Sequence, residues 1–214
     1  MISCVLFDFD GVIADTERSN GDYLAQALSF FGIPFTQEDR LSLIGTNGAG
    51  TLDRFLQRAD PPLTREQLAR VRERLGNTYE DSPLFPQPGL REWLRELGHQ
   101  GIRTGVVSST STKYIVTALN RMGFTGQFQV IVCGDMVKRP KPAPDSYQLA
   151  MSLLGLSPEE CLAIEDSPTG IQAARAAGLQ VVGYKGGSVE QDTRKAHWEV
   201  RSFQEIPSLP PFRG

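Results

Sequence analysis

Short apolar runs alternate with helical patterns along most of the chain, and this alternation constrains the fold more than any other feature. The runs, rich in Val and Ile and too short for buried helices, lie at residues 2–9, 102–107, 130–133, 161–164 and 181–184. Continuous runs of this kind are typical of parallel strands covered on both faces. Helical spacing of apolar residues follows at 90–97, 114–122, 145–154 and 170–177. The order predicts an α/β fold with a doubly wound parallel sheet.

One segment departs from the alternation. Between residues 16 and 82 we find helical patterns, at 23–31, 51–56 and 68–79, and no convincing strand. A proline-rich stretch at 83–88 then leads back to the alternating part. We therefore expect a helical domain over 16–82, inserted after the first strand of a core domain that comprises 1–15 and 83–214.

Composition excludes several classes of function. The 214 residues are 40% hydrophobic and 22% charged, an ordinary globular mixture. A formal net charge of -3 and the lack of a Lys/Arg-rich run argue against nucleic-acid binding. We recognise no signal peptide and no apolar stretch of about 20 residues, so we expect a cytoplasmic protein without a membrane partner. Cys4, Cys133 and Cys161 are predicted to be buried thiols.

Candidate catalytic residues begin at the end of the first predicted strand, where Asp8 and Asp10 precede Gly11. Ligands of doubly wound sheets bind outside the carboxyl ends of the strands, which is where this pair should lie. Asp and Gly also favour turns, so the pair by itself is equally consistent with a polar strand terminus.

Other strand ends carry the rest of the chemistry. Ser108 and Ser109 follow the second predicted strand, Glu165 and Asp166 follow the fourth, and Lys141 lies in a loop with three prolines. Each has an ordinary interpretation, as a helix N-cap or an exposed basic loop. Accidental convergence of carboxylates, a hydroxyl and a lysine on one sheet edge is a poor explanation, so we favour an active site.

The segments DFDGV at 8–12, VVSS at 106–109, KPAPD at 141–145 and IEDSPTGIQAA at 164–174 occur in an order that resembles the haloacid dehalogenase superfamily. The similarity spans residues 1 to about 186. Within the superfamily the chain is similar to the β-phosphoglucomutase-like and phosphatase subgroup, which has a small helical cap. The resemblance implies strand order 3-2-1-4-5, with the site between the first and fourth strands.

The resemblance also implies roles for phosphoryl transfer. Asp8 would be the nucleophile that forms an aspartyl-phosphate, and Asp10 the general acid and base. Ser108 would bind the transferring phosphate, and Lys141 would neutralise it. Backbone N–H groups near Phe9 and Ser109 would complete the phosphate cradle.

A Mg²⁺ ion is the implied cofactor. Its ligands would be the Asp8 carboxylate, the Asp10 backbone carbonyl and Asp166, with Glu165 as a ligand or a neighbour of one. The dehalogenases proper attack carbon and need neither Mg²⁺ nor the second aspartate, so Asp10 favours phosphorus chemistry.

Two activities fit this pattern. Mutases of the subgroup carry a His early in the cap, where this chain has Asn20, and a Lys and an Arg flanking a Gly, where it has Ile44 and Gly48. Because these cations are missing, we favour an Mg²⁺-dependent phosphatase acting on a small phosphorylated metabolite, such as a sugar or polyol phosphate. A β-phosphoglucomutase-type mutase is the alternative.

A non-catalytic binding protein with the same fold is a remote third possibility, since such proteins should have lost a catalytic residue. Oligomeric state is expected to be a monomer or a weak homodimer. Glu17, Asn20, Thr46 and Asn47 are the candidate substrate contacts in the cap, although an ordinary solvated face is equally consistent with them. Arg18 and Arg54 are open to the same two interpretations.

Overall fold

The computed structural model describes residues 2–43 and 49–212, and its centre is a sheet of parallel strands. The strands are β1 (Cys4–Phe7), β2 (Arg103–Val107), β3 (Val130–Val132), β4 (Cys161–Glu165), β5 (Gln180–Tyr184) and β6 (Trp198–Val200). They are ordered β3-β2-β1-β4-β5-β6, and every neighbouring pair is parallel. The predicted fold class and the order 3-2-1-4-5 are confirmed.

Helices separate the strands. They are α1 (Glu17–Ser29), α2 (Gln37–Leu43), α3 (Ala49–Leu56), α4 (Arg65–Leu75), α5 (Thr78–Asp81), α6 (Leu90–His99), α7 (Thr112–Arg121), α8 (Asp145–Leu154) and α9 (Pro168–Ala176). Helices α6 and α7 pack on one face of the sheet, and α8 and α9 pack on the other. The sheet therefore has helices on both faces, as its continuous apolar strands require.

β1 lies in the middle of the sheet because its side chains are apolar toward both faces. All four of its residues are fully buried. Val5 and Phe7 join the cluster under α6 and α7, whereas Cys4 and Leu6 join the cluster under α8 and α9. This period of two matches the geometry of a strand. β1 pairs with β2 on one side and β4 on the other, so its carboxyl end lies beside both of theirs.

β6 was not predicted. It is an edge strand of three residues, in which Trp198 is half-buried, Glu199 is exposed and only Val200 is fully buried. A segment this short, with one side chain in the core, lacks the apolar run that identified the other strands.

The helical segment differs from its predicted pattern in three places. α1 begins at Glu17 rather than at Tyr23, and α2 was not predicted. The predicted helix over 68–79 is wrong as a single element, because Gly76 takes a positive φ of 86° and separates α4 from α5. Asn77 then caps α5 by accepting hydrogen bonds from the backbone N–H groups of Tyr79 and Glu80.

Helices α1, α3 and α4 share a hydrophobic cluster distinct from the two clusters of the sheet; its buried members are Leu24, Ala27, Leu28, Ile33, Phe55, Leu56 and Leu68. The two connections to the sheet domain lie side by side, since Ala14 forms an antiparallel bridge with Pro86. Across residues 2–43 and 49–212, no helix combines the length and the apolar character needed to cross a membrane.

Candidate active site

Three buried carboxylates meet at the carboxyl ends of β1 and β4. Asp8 follows β1, and its backbone N–H donates to the Ile164 carbonyl at 2.9 Å, which fixes it beside the end of β4. Glu165 ends β4, and Asp166 follows it. Asp8, Glu165 and Asp166 are 8%, 0% and 6% exposed, and each offers an oxygen within 4.8 Å of the others. Neighbouring parallel strands therefore bring the two predicted acidic motifs together.

Lys141 lies among these carboxylates. Its Nζ donates to Asp8 Oδ1 and to Glu165 Oε1, both at 2.6 Å, and to the Val107 carbonyl at 2.7 Å. Tyr147 on α8 donates its hydroxyl to the same Glu165 oxygen at 2.5 Å. Tyr147 was not predicted as part of the site, because its spacing on the helix is that of an ordinary core residue.

Negative charge exceeds positive charge in this cluster. Burial raises the pKa of Asp8, an effect that Lys141 opposes and Glu165 reinforces. Burial, together with the charges of Asp8 and Glu165, also raises the pKa of Asp166. For Lys141, burial acts to lower the pKa, but the two carboxylates outweigh it and hold the pKa above its ordinary value. One ammonium group thus faces three carboxylates, an arrangement that an additional cation would stabilise.

The residues fit a divalent cation with a preference for oxygen. Asp8, Glu165 and Asp166 form the acidic group suited to an ion, and Glu165 Oε2 is buried without a hydrogen-bond partner among the described residues. Gly11 lets the backbone approach closely: a Cβ there would lie 1.9 Å from Asp166 Oδ2, and its φ is 80°. An all-oxygen, carboxylate-rich set of donors suits Mg²⁺ rather than a softer metal.

Asp10 is held by hydroxyl groups on both oxygens. Its Oδ1 accepts from Thr16 at 2.5 Å and from Tyr79 at 2.8 Å, and its Oδ2 accepts from Thr110 at 2.9 Å. Thr16 immediately precedes α1, Tyr79 lies on α5, and Thr110 lies between β2 and α7. None of the three was predicted. Thr16 belongs to an Asp-Thr pair already visible in the sequence, but nothing in the pattern around Tyr79 or Thr110 indicates a contact with Asp10.

A cavity of about 190 Å³ opens onto these residues. Its lining includes Asp8, Asp10, Glu17, Asn20, Tyr79, Ser109, Thr110, Lys141, Asp166 and Gln191. The structure therefore brings the two aspartates, the lysine and two of the predicted cap residues to one space.

The other predicted site residues are placed differently. Ser108 is buried away from the lining, and its hydroxyl accepts from the Thr110 N–H at 3.0 Å. The Phe9 side chain lies in the core beside the Tyr79 ring, so only its backbone could serve a phosphate. Thr46 and Asn47 lie outside the described residues.

Two lining residues have distinctive surroundings. Burial, with the charges of Asp10 and Asp15, raises the pKa of Glu17 to about 7. Gln191, which the sequence did not single out, donates its side-chain N–H to Asp166 Oδ2 at 2.9 Å. Its own Oε1 is buried and has no partner among the described residues.

A doubly wound sheet with this acidic cluster at the ends of β1 and β4 defines a class of hydrolase. The family model for haloacid dehalogenase-like hydrolases matches residues 5–184, so the chain belongs to that family. The predicted resemblance is confirmed.

Three relatives illustrate its neighbourhood. The fructose-1-phosphate phosphatase YqaB of Escherichia coli is 33% identical, over 83% of this chain and 94% of that protein. The structure of CbbY from Rhodobacter sphaeroides in complex with phosphate is 31% identical, covers 96% of both chains and has a TM-score of 0.83. That of β-phosphoglucomutase from Clostridium difficile is 26% identical, covers 97% of this chain and 96% of that one, and has a TM-score of 0.78.

Proposed function

We propose that this protein is a Mg²⁺-dependent phosphatase that hydrolyses a small phosphate monoester through an aspartyl-phosphate on Asp8. Its enzyme class is that of the phosphoric monoester hydrolases. The observation that carries the proposal is the shared cavity of Asp8, Asp10, Lys141 and Asp166. It provides a nucleophile, a second carboxylate two residues away and a fixed positive charge in one space, which is what phosphoryl transfer requires.

Each carboxylate has its own step. An oxygen of Asp8 attacks phosphorus, a P–O bond forms, and the bond from phosphorus to the ester oxygen breaks. Asp10 gives its proton to the departing oxygen and later takes one from the water that attacks the aspartyl-phosphate, which restores both residues. Lys141 keeps Asp8 in place and offsets charge on the phosphoryl group. Backbone N–H groups near Phe9 and Ser109 are suited to bind its other oxygens.

Mg²⁺, when bound, would supply positive charge against the phosphoryl oxygens. Asp8, Glu165 and Asp166, with the Asp10 carbonyl, are the residues that would hold it. Asp10 itself needs a fixed orientation to reach both the ester oxygen and the water, and its three hydroxyl partners provide one.

Residues 16–82 act in this proposal as a cap domain that covers the substrate and excludes water. Support comes from the separate hydrophobic cluster of α1, α3 and α4 and from the adjacent connections at Ala14 and Pro86. Glu17 and Asn20 extend from this segment into the cavity, so they are the cap residues best placed to contact the substrate.

A sugar phosphate is the favoured substrate. The named activity of the Escherichia coli relative is that of a fructose-1-phosphate phosphatase, and the CbbY structure contains phosphate. The likeness to a β-phosphoglucomutase supports a second candidate, a phosphosugar mutase. Asn20, where the mutase pattern has a histidine, argues for water as the final acceptor.

Release of inorganic phosphate tests the proposal. The purified protein is assayed with Mg²⁺ on sugar, polyol and nucleoside monophosphates, and on β-glucose 1-phosphate with a bisphosphate activator. We expect hydrolysis of at least one sugar monophosphate and its loss in Asp8→Asn. Asp53→Asn, at an exposed aspartate paired with Arg65, is the control and should retain activity. Interconversion of glucose phosphates without net phosphate release would identify a mutase instead.

A further inference from the structure

A second cavity, of about 170 Å³, adjoins the active-site cavity. The two share the lining residues Glu17, Asn20 and Leu43, so a ligand that passes these residues would occupy both. In contrast to the acidic first cavity, the second is lined by three arginines: Arg18 on α1, Arg40 on α2 and Arg72 on α4. Three helices of the segment 16–82 therefore each direct an arginine to one space.

Arg40 is held in a defined position. It donates to the Arg18 carbonyl at 3.2 Å and to Asp22 at 2.8 Å. Its guanidinium lies against α1 where the chain has Gly21, and a Cβ there would be 2.2 Å from Arg40 Nη1. Ordering such a side chain costs conformational entropy, so this fit reduces the cost of binding an anion there.

The charge of this cavity suits an anion. Its lining has three guanidinium groups and a single carboxylate, Glu17. Asp22, which pairs with Arg40, is on the solvent side with 62% of its side chain exposed. Guanidinium groups bind phosphate oxygens in pairs and with defined geometry, which a lysine cannot do.

We infer that the substrate carries a second phosphate, at the end far from the ester that is cleaved, and that Arg18, Arg40 and Arg72 bind it. This inference rests on the proposed function, because it places the first phosphate at Asp8. The Lys and Arg of the mutase pattern are absent at positions 44 and 48. The positive charge for a distal phosphate comes instead from α1, α2 and α4.

Binding of diphosphorylated and monophosphorylated chains of equal length tests the inference. The Asp8→Asn protein, loaded with Mg²⁺ to prevent turnover, is titrated calorimetrically with the bisphosphates of propanediol through hexanediol. Each is paired with the alkyl monophosphate of the same length. We expect at least one bisphosphate to bind about tenfold more tightly than its partner, the ratio that corresponds to roughly 1.4 kcal/mol.

Arg18→Gln/Arg72→Gln in the same background should remove this preference. Arg74→Gln is the matched control, since Arg74 is an exposed arginine of α4 that does not line the cavity. A variant that had unfolded would also lose monophosphate binding, and so would be recognised. Equal affinities at every chain length, or a preference that survives the double substitution, would overturn the inference. Because binding is measured without turnover, phosphate release by the wild-type protein tests the proposed function separately.

Discussion

At the scale of the residue, the carboxylate of Asp10 is bound through both oxygens by hydroxyls from three separate parts of the chain. Two of them, Thr16 and Tyr79, come from the two ends of the segment 16–82, whereas Thr110 follows β2. Tyr79 is itself fixed: its ring stacks on Tyr114 with 5.5 Å between centroids, and Arg121 donates to its backbone carbonyl at 2.7 Å. The position of the proposed acid and base therefore depends on the packing of α5 against α7.

Tyr79→Phe removes one of these hydrogen bonds and keeps the ring. We expect kcat to fall about tenfold, a size typical of a lost hydrogen bond to a charged group, with a smaller change in KM. The measurement is steady-state hydrolysis of the best monophosphate substrate. Tyr114→Phe, which leaves the contacts of Asp10 intact, should retain wild-type kcat. A fall in KM and kcat together, or an equal effect of both substitutions, would contradict the assigned role.

Gln191 connects the loop after β5 to a proposed metal ligand. Gln191→Ala removes the donor to Asp166 Oδ2, so the carboxylate loses the contact that orients it. We expect the Kd for Mg²⁺, measured by calorimetry without substrate, to rise roughly tenfold, as is common when such supporting contacts are lost. Gln57→Ala, at an exposed glutamine remote from the cavity, should not alter it. An unchanged Kd in Gln191→Ala would count against the role.

Glu17 gives the fold a dependence on pH. Its pKa in the folded protein, about 7, lies above the ordinary 4.5, so the folded state binds a proton that the unfolded chain has released. The resulting stabilisation is fully present below pH 4.5 and is lost as the pH rises through 7. Glu17→Gln should therefore be more stable than the wild type at pH 8 by roughly 2 kcal/mol relative to their difference at pH 5. Urea unfolding in the presence of EDTA measures this difference, and a pH-independent one would refute it.

At the scale of the element, the contact between α9 and β4 depends on a glycine. Gly170 lies in the first turn of α9, where its N–H donates to the Ser167 side chain at 3.1 Å. A Cβ at Gly170 would lie 1.9 Å from Glu165 Oε2. Helix α9 can thus approach the end of β4 closely enough to bury Glu165 only because this position has no side chain.

Gly170→Ala is expected to destabilise the protein by about 1–3 kcal/mol, because the added methyl group displaces the Glu165 carboxylate. Gly98→Ala is the matched control: Gly98 is an exposed glycine near the end of α6, and no neighbour would lie within 4 Å of its Cβ. Helix propensity alone should stabilise that variant by up to about 1 kcal/mol. Urea denaturation of both proteins provides the comparison. Equal stabilisation by the two alanines would show that Glu165 does not constrain the helix.

At the scale of the whole molecule, the excess of negative charge at the centre of the sheet opposes folding unless a cation is bound. The carboxylates of Asp8, Glu165 and Asp166 come together only in the folded chain. A cation that binds there stabilises the native state by mass action, by about 2.7 kcal/mol at a concentration one hundred times its Kd.

Mg²⁺ should therefore raise the melting temperature, and EDTA should lower it to that of the metal-free protein. In Asp166→Asn the response to Mg²⁺ should be largely lost, whereas NaCl at matched ionic strength should not reproduce the effect in the wild type. Thermal denaturation by circular dichroism over a series of Mg²⁺ concentrations measures it. A melting temperature independent of Mg²⁺ would contradict the proposed metal site.

The sequence by itself determined the parallel sheet and which residues end its strands. Apolar runs identified β1 to β5 because burial on both faces requires continuous apolar side chains, and Asp8, Asp10, Glu165 and Asp166 follow such runs directly. Since the carboxyl ends of parallel strands share one edge, their convergence followed from chain order alone. Only the tertiary structure decided which side chains hold them: Tyr79 is 69 positions from Asp10, and Thr110 is 100 positions from it. Such partners depend on how distant helices and loops pack, and local patterns of apolar residues carry no information about that packing.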